Sequence, residues 1–160
     1  MKILGIDPGT RIVGYAVIES IGESLVSHSH GAIKTKPKNA LPKRLYTIFH
    51  NLIDIIEKYK PDVVATEKVF YGKNIKSAIR IGEGRGVAFL AAAQSGLEVY
   101  EYDATKIKKA VTGVGNAHKS QIQHMVTTIF NLKQPPTPFD AADALAIATC
   151  HYNNISLCKL

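Results

Sequence analysis

The chain has 160 residues, the length of one domain, and can bury roughly two-thirds of its unfolded surface, so a core forms without disulfides. With 46% hydrophobic and 21% charged residues it is not a disordered chain, and no apolar run approaches the ~20 residues of a membrane span. Its formal net charge of +7 favours an anionic partner such as nucleic acid, although general solubility explains the charge equally well.

The N-terminal part of the chain predicts a three-stranded antiparallel meander. Residues 2–7 form an apolar strand that ends in a tight turn at Pro8-Gly9. The segments Gly14–Glu19 and Glu23–Thr35 supply the second and third strands, and the second is close enough to the first to pair with it.

Helices and strands alternate in the next part of the chain. A helix with Pro42 in its first turn leads to the strand Pro61–Glu67, and a right-handed crossover of this kind makes that strand parallel to the first. A long helix, Ile75–Ser95, precedes a fifth strand at residues 97–102. Three further helices are predicted at Ala104–Thr112, at about His118–Leu132 and from Thr137 to about Tyr152.

This order of elements predicts one α/β domain, residues 1–153, followed by a short C-terminal tail, residues 154–160. The predicted sheet is mixed, with a three-stranded antiparallel meander and two parallel strands, and helices flank it. Cys150 and Cys158 have neither metal-ligand spacing nor a disulfide framework, and the first residues do not resemble a secretory signal. We therefore expect a cytoplasmic protein that does not bind membranes.

Two acidic residues end two strands that are predicted to be parallel neighbours. Asp7 ends the first strand and Glu67 ends the fourth, and ligands of open α/β sheets bind beyond the carboxyl ends of the strands. Each residue also has a structural explanation, since Asp before Pro-Gly forms turns and Glu67 can be a solvated strand end. For either residue taken singly, the structural explanation is the stronger one.

Two further acids lie in the segment "TPFDAADALAIA". Asp140 and Asp143 are three residues apart and therefore share one helix face. With Thr137 as N-cap, Asp140 would occupy the third helical position, as in a capping box. Asp143 lies within a small, apolar run that should pack against the sheet, where a carboxylate is costly unless it has a partner or binds a cation.

The four carboxylates, taken together, favour a site for hard cations. No His or Cys cluster accompanies them, which suits Mg²⁺ or Mn²⁺ and not zinc. Four carboxylates can hold two such ions roughly 4 Å apart, the arrangement that catalyses in-line displacement at phosphorus. Together with the basic charge, this chemistry predicts phosphodiester hydrolysis on nucleic acid.

Four segments of the chain resemble, in their order and spacing, the bacterial RuvC family of Holliday junction resolvases. They are "GIDPGT", "ATEKVF", "VGNAHKSQIQHMV" and "DAADALAIA". The resemblance extends from Met1 to about Asn153. It implies an RNase H-like fold and a homodimer that resolves four-way DNA junctions with Mg²⁺ by paired symmetric nicks, in recombination and repair. It also implies a weak preference for T-rich sites and cooperation with the branch-migration proteins RuvA and RuvB.

The resemblance also assigns individual residues. The family's catalytic, metal-binding acids correspond to Asp7, Glu67, Asp140 and Asp143. The aromatic residue that contacts bases near the crossover corresponds to Phe70, and lysines that bind DNA correspond to Lys108 and Lys119.

A basic stripe follows the second of these acids. Lys73, Lys76 and Arg80 have the spacing i, i+3, i+7, which places them on one helix face if the helix begins early. Such a stripe can bind phosphates while an exposed aromatic residue stacks on unpaired bases. Proximity to Glu67 favours DNA contact for Phe70 and Lys73, whereas a solvated helix face is an equally good explanation of Arg80.

Small residues in the long helix suggest a surface for another helix. Gly82, Gly86 and Ala93 could form a flat face for close approach, and we predict it to be the dimer face. A helix kink, or close packing on the chain's own sheet, is the alternative explanation.

Two other functions are consistent with parts of the sequence. "GIDPGT" also resembles the phosphate loop of actin-like and sugar-kinase ATPases, but those enzymes need two such lobes and 160 residues supply one. The chain could also be a non-catalytic junction binder, although the acids at all four positions argue against this.

Overall fold

The computed structural model describes residues 1–22, 24–68 and 75–157. Its elements in chain order are β1 (Lys2–Asp7), β2 (Ile12–Ile21), β3 (Ser24–Lys34), α1 (Leu41–Tyr59), β4 (Val63–Glu67), α2 (Ile75–Gln94), β5 (Glu98–Tyr102), α3 (Ala104–Thr112), α4 (Lys119–Ile129) and α5 (Phe139–Leu157). The strands form one sheet in the order β3-β2-β1-β4-β5. β1 pairs antiparallel with β2 and parallel with β4, and β4 pairs parallel with β5, which confirms the predicted mixed sheet.

Helices cover both faces of the sheet, and the alternation of strand side chains divides the core into two clusters. Ile3 points to the face covered by α3, α4 and α5, where Leu145 is fully buried. Leu4 points to the opposite face, which α1 and α2 cover with side chains such as Leu52 and Ala88. No helix within the described ranges is both long enough and apolar enough to cross a membrane.

The last helix differs from its predicted bounds at both ends. It begins at Phe139, which makes Asp140 its second residue and leaves Thr137 outside the N-cap position, so the capping-box explanation of Asp140 is wrong. The helix continues to Leu157, so the predicted tail is helical over residues 154–157. In this last part of the helix, the side-chain amide of Asn154 donates a hydrogen bond to the carbonyl oxygen of Cys150 at 2.7 Å. Cys158 lies outside the described residues.

One glycine of α2 lies directly against the turn that follows β1. A Cβ atom at Gly84 would overlap the carbonyl group of Gly9, so a glycine permits this close approach of two backbones. The Cβ positions of Gly82 and Gly86 face open space instead. Close packing within the chain therefore explains Gly84, and it does not explain Gly82 or Gly86.

Candidate active site

The first two acids of the site lie side by side at one edge of the sheet. Asp7 is the last residue of β1 and Glu67 is the last residue of β4, and the parallel register pairs Ile6 with Thr66 just before them. Because neighbouring strands lie ~4.8 Å apart, both carboxylates project from the same carboxyl edge, where α/β sheets bind ligands.

The other two acids come from the first turns of α5, which lies directly on the sheet. A Cβ atom at Gly14 would overlap the carbonyl oxygen of Asp140, and one at Gly5 would overlap that of Ala144. Gly14 is the register partner of Asp7 in β2. The two glycines thus allow the backbone of α5 to approach β1 and β2, which places Asp140 and Asp143 beside Asp7.

A cleft of about 440 Å³ opens at this edge. Three of the four acids and both lysines assigned by the resemblance line it, namely Asp7, Glu67, Asp143, Lys108 and Lys119. Its apolar wall includes Ile107, Ile122 and Ile147. Asp140 is not part of the lining, although its charge acts on Asp7.

The environment of Asp7 opposes its ionisation. Burial is the largest cause and repulsion by Asp143, Asp140 and Glu67 adds to it, so the pKa of Asp7 rises from 3.8 to about 8, with Lys119 acting weakly in the opposite direction. Asp7 therefore keeps its proton at neutral pH when no cation is present. The charges of all three other acids therefore act on Asp7.

Lys119 forms an ion pair at the mouth of the cleft. Its Nζ atom lies 3.3 Å from Oδ2 of Asp143, whose side chain is 19% exposed while that of Lys119 is 67% exposed. Burial raises the pKa of Asp143 and outweighs the lowering by Lys119, and burial likewise raises the pKa of Glu67, which Lys108 and Lys119 lower in part. Burial alone would lower the pKa of Lys119, but attraction to Asp143 more than compensates, so the pKa of Lys119 lies above its ordinary value.

The chemistry of these side chains fits a hard divalent cation. All four potential donors are carboxylates, and their mutual repulsion would be relieved by positive charge between them. Within residues 1–22, 24–68 and 75–157, no three His, Cys, Asp or Glu side chains already converge as a metal-binding group. The carboxylates would therefore have to close around ions by side-chain rotation.

Comparisons with known proteins decide the family. The sequence profile described as "Crossover junction endodeoxyribonuclease RuvC" matches residues 3–151. The chain belongs to the RuvC family. A RuvC from Halothermothrix orenii is 48% identical over 157 residues, which cover 98% of this chain and 95% of that protein. A RuvC from Geotalea uraniireducens is 47% identical, with 96% and 90% covered.

Solved structures agree with the family assignment. The RuvC of T. thermophilus in complex with a Holliday junction substrate matches with a TM-score of 0.92 at 31% identity, covering 98% of this chain and 96% of that one. The yeast mitochondrial Holliday junction resolvase matches with a TM-score of 0.65 at 15% identity, over 99% and 84% of the two chains, which shows a shared fold. The fold is therefore the RNase H-like resolvase fold, as the RuvC resemblance implies.

Sequence reasoning missed a residue that holds the turn after Asp7. The guanidinium group of Arg44 in α1 donates from Nε at 3.0 Å and from Nη2 at 2.7 Å to the carbonyl oxygen of Thr10. It also donates to the hydroxyls of Thr10, at 2.8 Å, and Thr35, at 3.2 Å. In the sequence Arg44 is one of several basic residues near the start of a helix, and no local pattern connects it to Thr10.

The predicted DNA-binding residues after Glu67 are described only in part. Phe70 and Lys73 lie outside the described residues, so their roles remain predictions of the RuvC resemblance and of the basic stripe. Lys76 and Arg80 are exposed on the first turns of α2. Together with Arg44 they line a groove of about 310 Å³ beside Thr10.

Proposed function

We propose that this RuvC-family chain is a magnesium-dependent endonuclease that resolves four-way DNA junctions by paired symmetric nicks, in recombination and repair. The observation that supports it most directly is Asp7, a carboxyl group in a cleft lined by acids and lysines, whose pKa burial first and then three neighbouring acids raise to about 8. A site of this kind stabilises bound cations more than it stabilises the empty protein. A non-catalytic junction binder would have no need of it.

The proposed catalytic, metal-binding residues are the four acids Asp7, Glu67, Asp140 and Asp143. Two Mg²⁺ ions, for which Mn²⁺ is a possible substitute, would activate a water molecule and stabilise the leaving oxygen. The protein's part is to hold the backbones of these residues at strand and helix ends, and to give up the proton of Asp7. No covalent intermediate is needed.

The lysines of the cleft are proposed to hold the phosphate backbone. Lys108 and Lys119 line the same cavity as the acids, so a strand that reaches the carboxylates lies close to two positive charges. Lys119 would exchange its contact with Asp143 for one with a phosphate. From the family resemblance, we assign base contact near the crossover to Phe70 and a phosphate contact to Lys73.

A synthetic four-way junction tests this function. With Mg²⁺ we expect paired nicks at symmetric positions in two opposite strands, and little cleavage of a linear duplex of the same sequence. Nicks are mapped on denaturing gels with each strand labelled in turn. Equal cleavage of the duplex would indicate a general nuclease, and binding without cleavage in both Mg²⁺ and Mn²⁺ would indicate a non-catalytic binder.

We also propose that the chain forms a homodimer through the α2 outer face, defined as Ile75, Ile79, Gly86, Leu90 and Ala93. These residues recur at helical spacing and are exposed, with Ile75 at 71% and Leu90 at 59%. A two-fold axis can bring one such face against its own copy, and the glycine lets the helices approach closely.

The proposal has three further parts, which rest on the family resemblance and on the sequence. The chain cooperates with RuvA and RuvB, it acts in the cytoplasm, and it forms a single domain over residues 1–153.

Leu90→Glu tests the dimer. A buried carboxylate on each side of the axis would repel its copy, so we expect the variant to sediment as a monomer at concentrations where the parent protein is a dimer. Ile21→Glu is the matched control, because Ile21 is 55% exposed but lies at the far end of β2. A Leu90→Glu protein that remains dimeric would place the interface elsewhere.

A further inference from the structure

One stretch of the chain is strongly basic and contains no acids. Residues 24–53 include neither Asp nor Glu, and all of their Lys and Arg residues fall between positions 34 and 44. Four of these are lysines, and the fifth is Arg44. Neither the family resemblance nor the basic stripe after Glu67 accounts for this cluster.

The fold brings the cluster to the edge of the sheet that carries the active site. β3 ends at Lys34, whose register partner in β2 is Ile12, and β2 in turn pairs Gly14 with Asp7. The amide of Thr35 also donates to the carbonyl oxygen of Arg11 at 2.9 Å. Two strand spacings separate β3 from β1, so the cluster begins roughly 10 Å to the side of Asp7.

The basic side chains at the edge of this region are exposed and have no acidic partner among the residues that the structure describes. We define the β3–α1 rim as the exposed residues Arg11, Lys34, Lys36, Lys38 and Lys43. Salt bridges between described residues involve none of these five. Arg44 differs, because its donors are committed to Thr10 and Thr35, and these bonds tie the rim to the turn after Asp7.

The opposite edge of the sheet carries more acids than bases, five against Lys2, Lys58 and Lys60, so the rim is not part of a uniformly basic surface. The acids there come from the end of β2, the second half of α1 and the starts of β4 and β5, namely Glu19, Asp54, Glu57, Asp62 and Glu98. General solubility would not require this separation of charges. A polyanion that lies across the active-site edge would require it.

We propose that the β3–α1 rim binds the phosphate backbone of a DNA arm as it leaves the active site, on the side away from Lys108 and Lys119. This inference rests on the proposed function, since it takes four-way junction DNA as the substrate. A strand carries one phosphate per 3.4 Å of helix axis, so the roughly 10 Å offset of the rim corresponds to about three phosphates from the cut. The rim binds without reading sequence, because phosphate contacts position DNA and carry no base information.

Charge removal at the rim is the test. The triple variant Lys36→Gln, Lys38→Gln, Lys43→Gln is compared with a control triple, Lys58→Gln, Lys60→Gln, Lys133→Gln, which also removes three exposed lysines but lies outside the rim. Junction affinity is measured by fluorescence anisotropy from 50 to 300 mM salt in EDTA, so that no variant can cut. Circular dichroism melts confirm that both proteins fold.

Each phosphate contact makes the association constant vary as the salt concentration to the power of about −0.9. At 0.1 M salt the rim triple is therefore expected to lose up to about eightfold in affinity for each contact removed. Its slope of log affinity against log salt should fall by about 2.7, while the control keeps the parent slope. Equal affinities and slopes for the two triples would overturn the proposal. Absence of cleavage by the parent protein in Mg²⁺ would count against the proposed function and not against the rim, because these titrations measure binding.

Discussion

Replacing Asp7 with asparagine is expected to abolish cleavage of a four-way junction and to leave junction binding intact. Asparagine keeps the shape of the side chain but removes the negative charge that would hold a cation at the end of β1. A bound cation supplies several kcal/mol of charge stabilisation in the transition state, so its loss should slow cleavage by about a thousandfold or more. Single-turnover cleavage and gel-shift binding on the same junction measure the two effects.

Asp54→Asn is the matched control for this experiment. Asp54 is exposed in the second half of α1, away from the carboxyl edge of the sheet, so this change should affect neither binding nor cleavage. Cleavage by the Asp7→Asn protein at the parent rate would show that another set of residues performs the chemistry.

The same substitution is expected to stabilise the protein when no metal is present, and more so at higher pH. In the unfolded chain an aspartate loses its proton near pH 3.8, whereas Asp7 in the folded protein keeps its proton up to about pH 8. Between these values the folded state binds more protons than the unfolded state, so the free energy of unfolding falls as the pH rises. Asparagine does not titrate and therefore lacks this loss.

Urea denaturation at pH 5 and pH 8.5, in EDTA and in Mg²⁺, measures the effect. At pH 8.5 in EDTA we expect the free energy of unfolding of Asp7→Asn to exceed that of the parent by on the order of several kcal/mol, since one pKa unit corresponds to about 1.4 kcal/mol. The difference should be smaller at pH 5, and Mg²⁺ should stabilise the parent selectively, because the cation binds its folded state. An Asp7→Asn protein that is less stable than the parent at pH 8.5 in EDTA would contradict the electrostatic account of the site.

Much of the fold could be predicted because its signals are local. Apolar runs identified the five strands, and the helix between the third and fourth strands predicted that β1 and β4 lie parallel. That single topological inference brought Asp7 and Glu67 together, although they are 60 positions apart. The boundary of α5 was wrong because helix starts depend on backbone hydrogen bonds that the sequence does not reveal.

Contacts between distant backbones could not be predicted in the same way. The overlap that a Cβ atom at Gly84 would make with Gly9, and the bonds from Arg44 to Thr10, join residues with no shared pattern in the sequence. The sequence showed that Gly84 disfavours a helix, but it did not show that the contact with Gly9 is the reason for a glycine there. The roles of Phe70 and Lys73, and those of the four acids, remain predictions until the cleavage experiments are done.

The glycines beneath α5 have a consequence for how tightly the site is built. At Gly5 and Gly14 the helix backbone rests on the strand backbone, with no layer of side chains between them. Side chains change rotamers, whereas a contact between two main chains has no such freedom. Thermal motion therefore displaces the backbones of Asp140 and Asp143 less relative to that of Asp7. A displacement of 1 Å can cost about a hundredfold in rate, so this close backbone packing limits errors in the positions of the acids. Larger residues at Gly5 and Gly14, or at the alanines of α5 that face Gly5, would therefore be poorly tolerated.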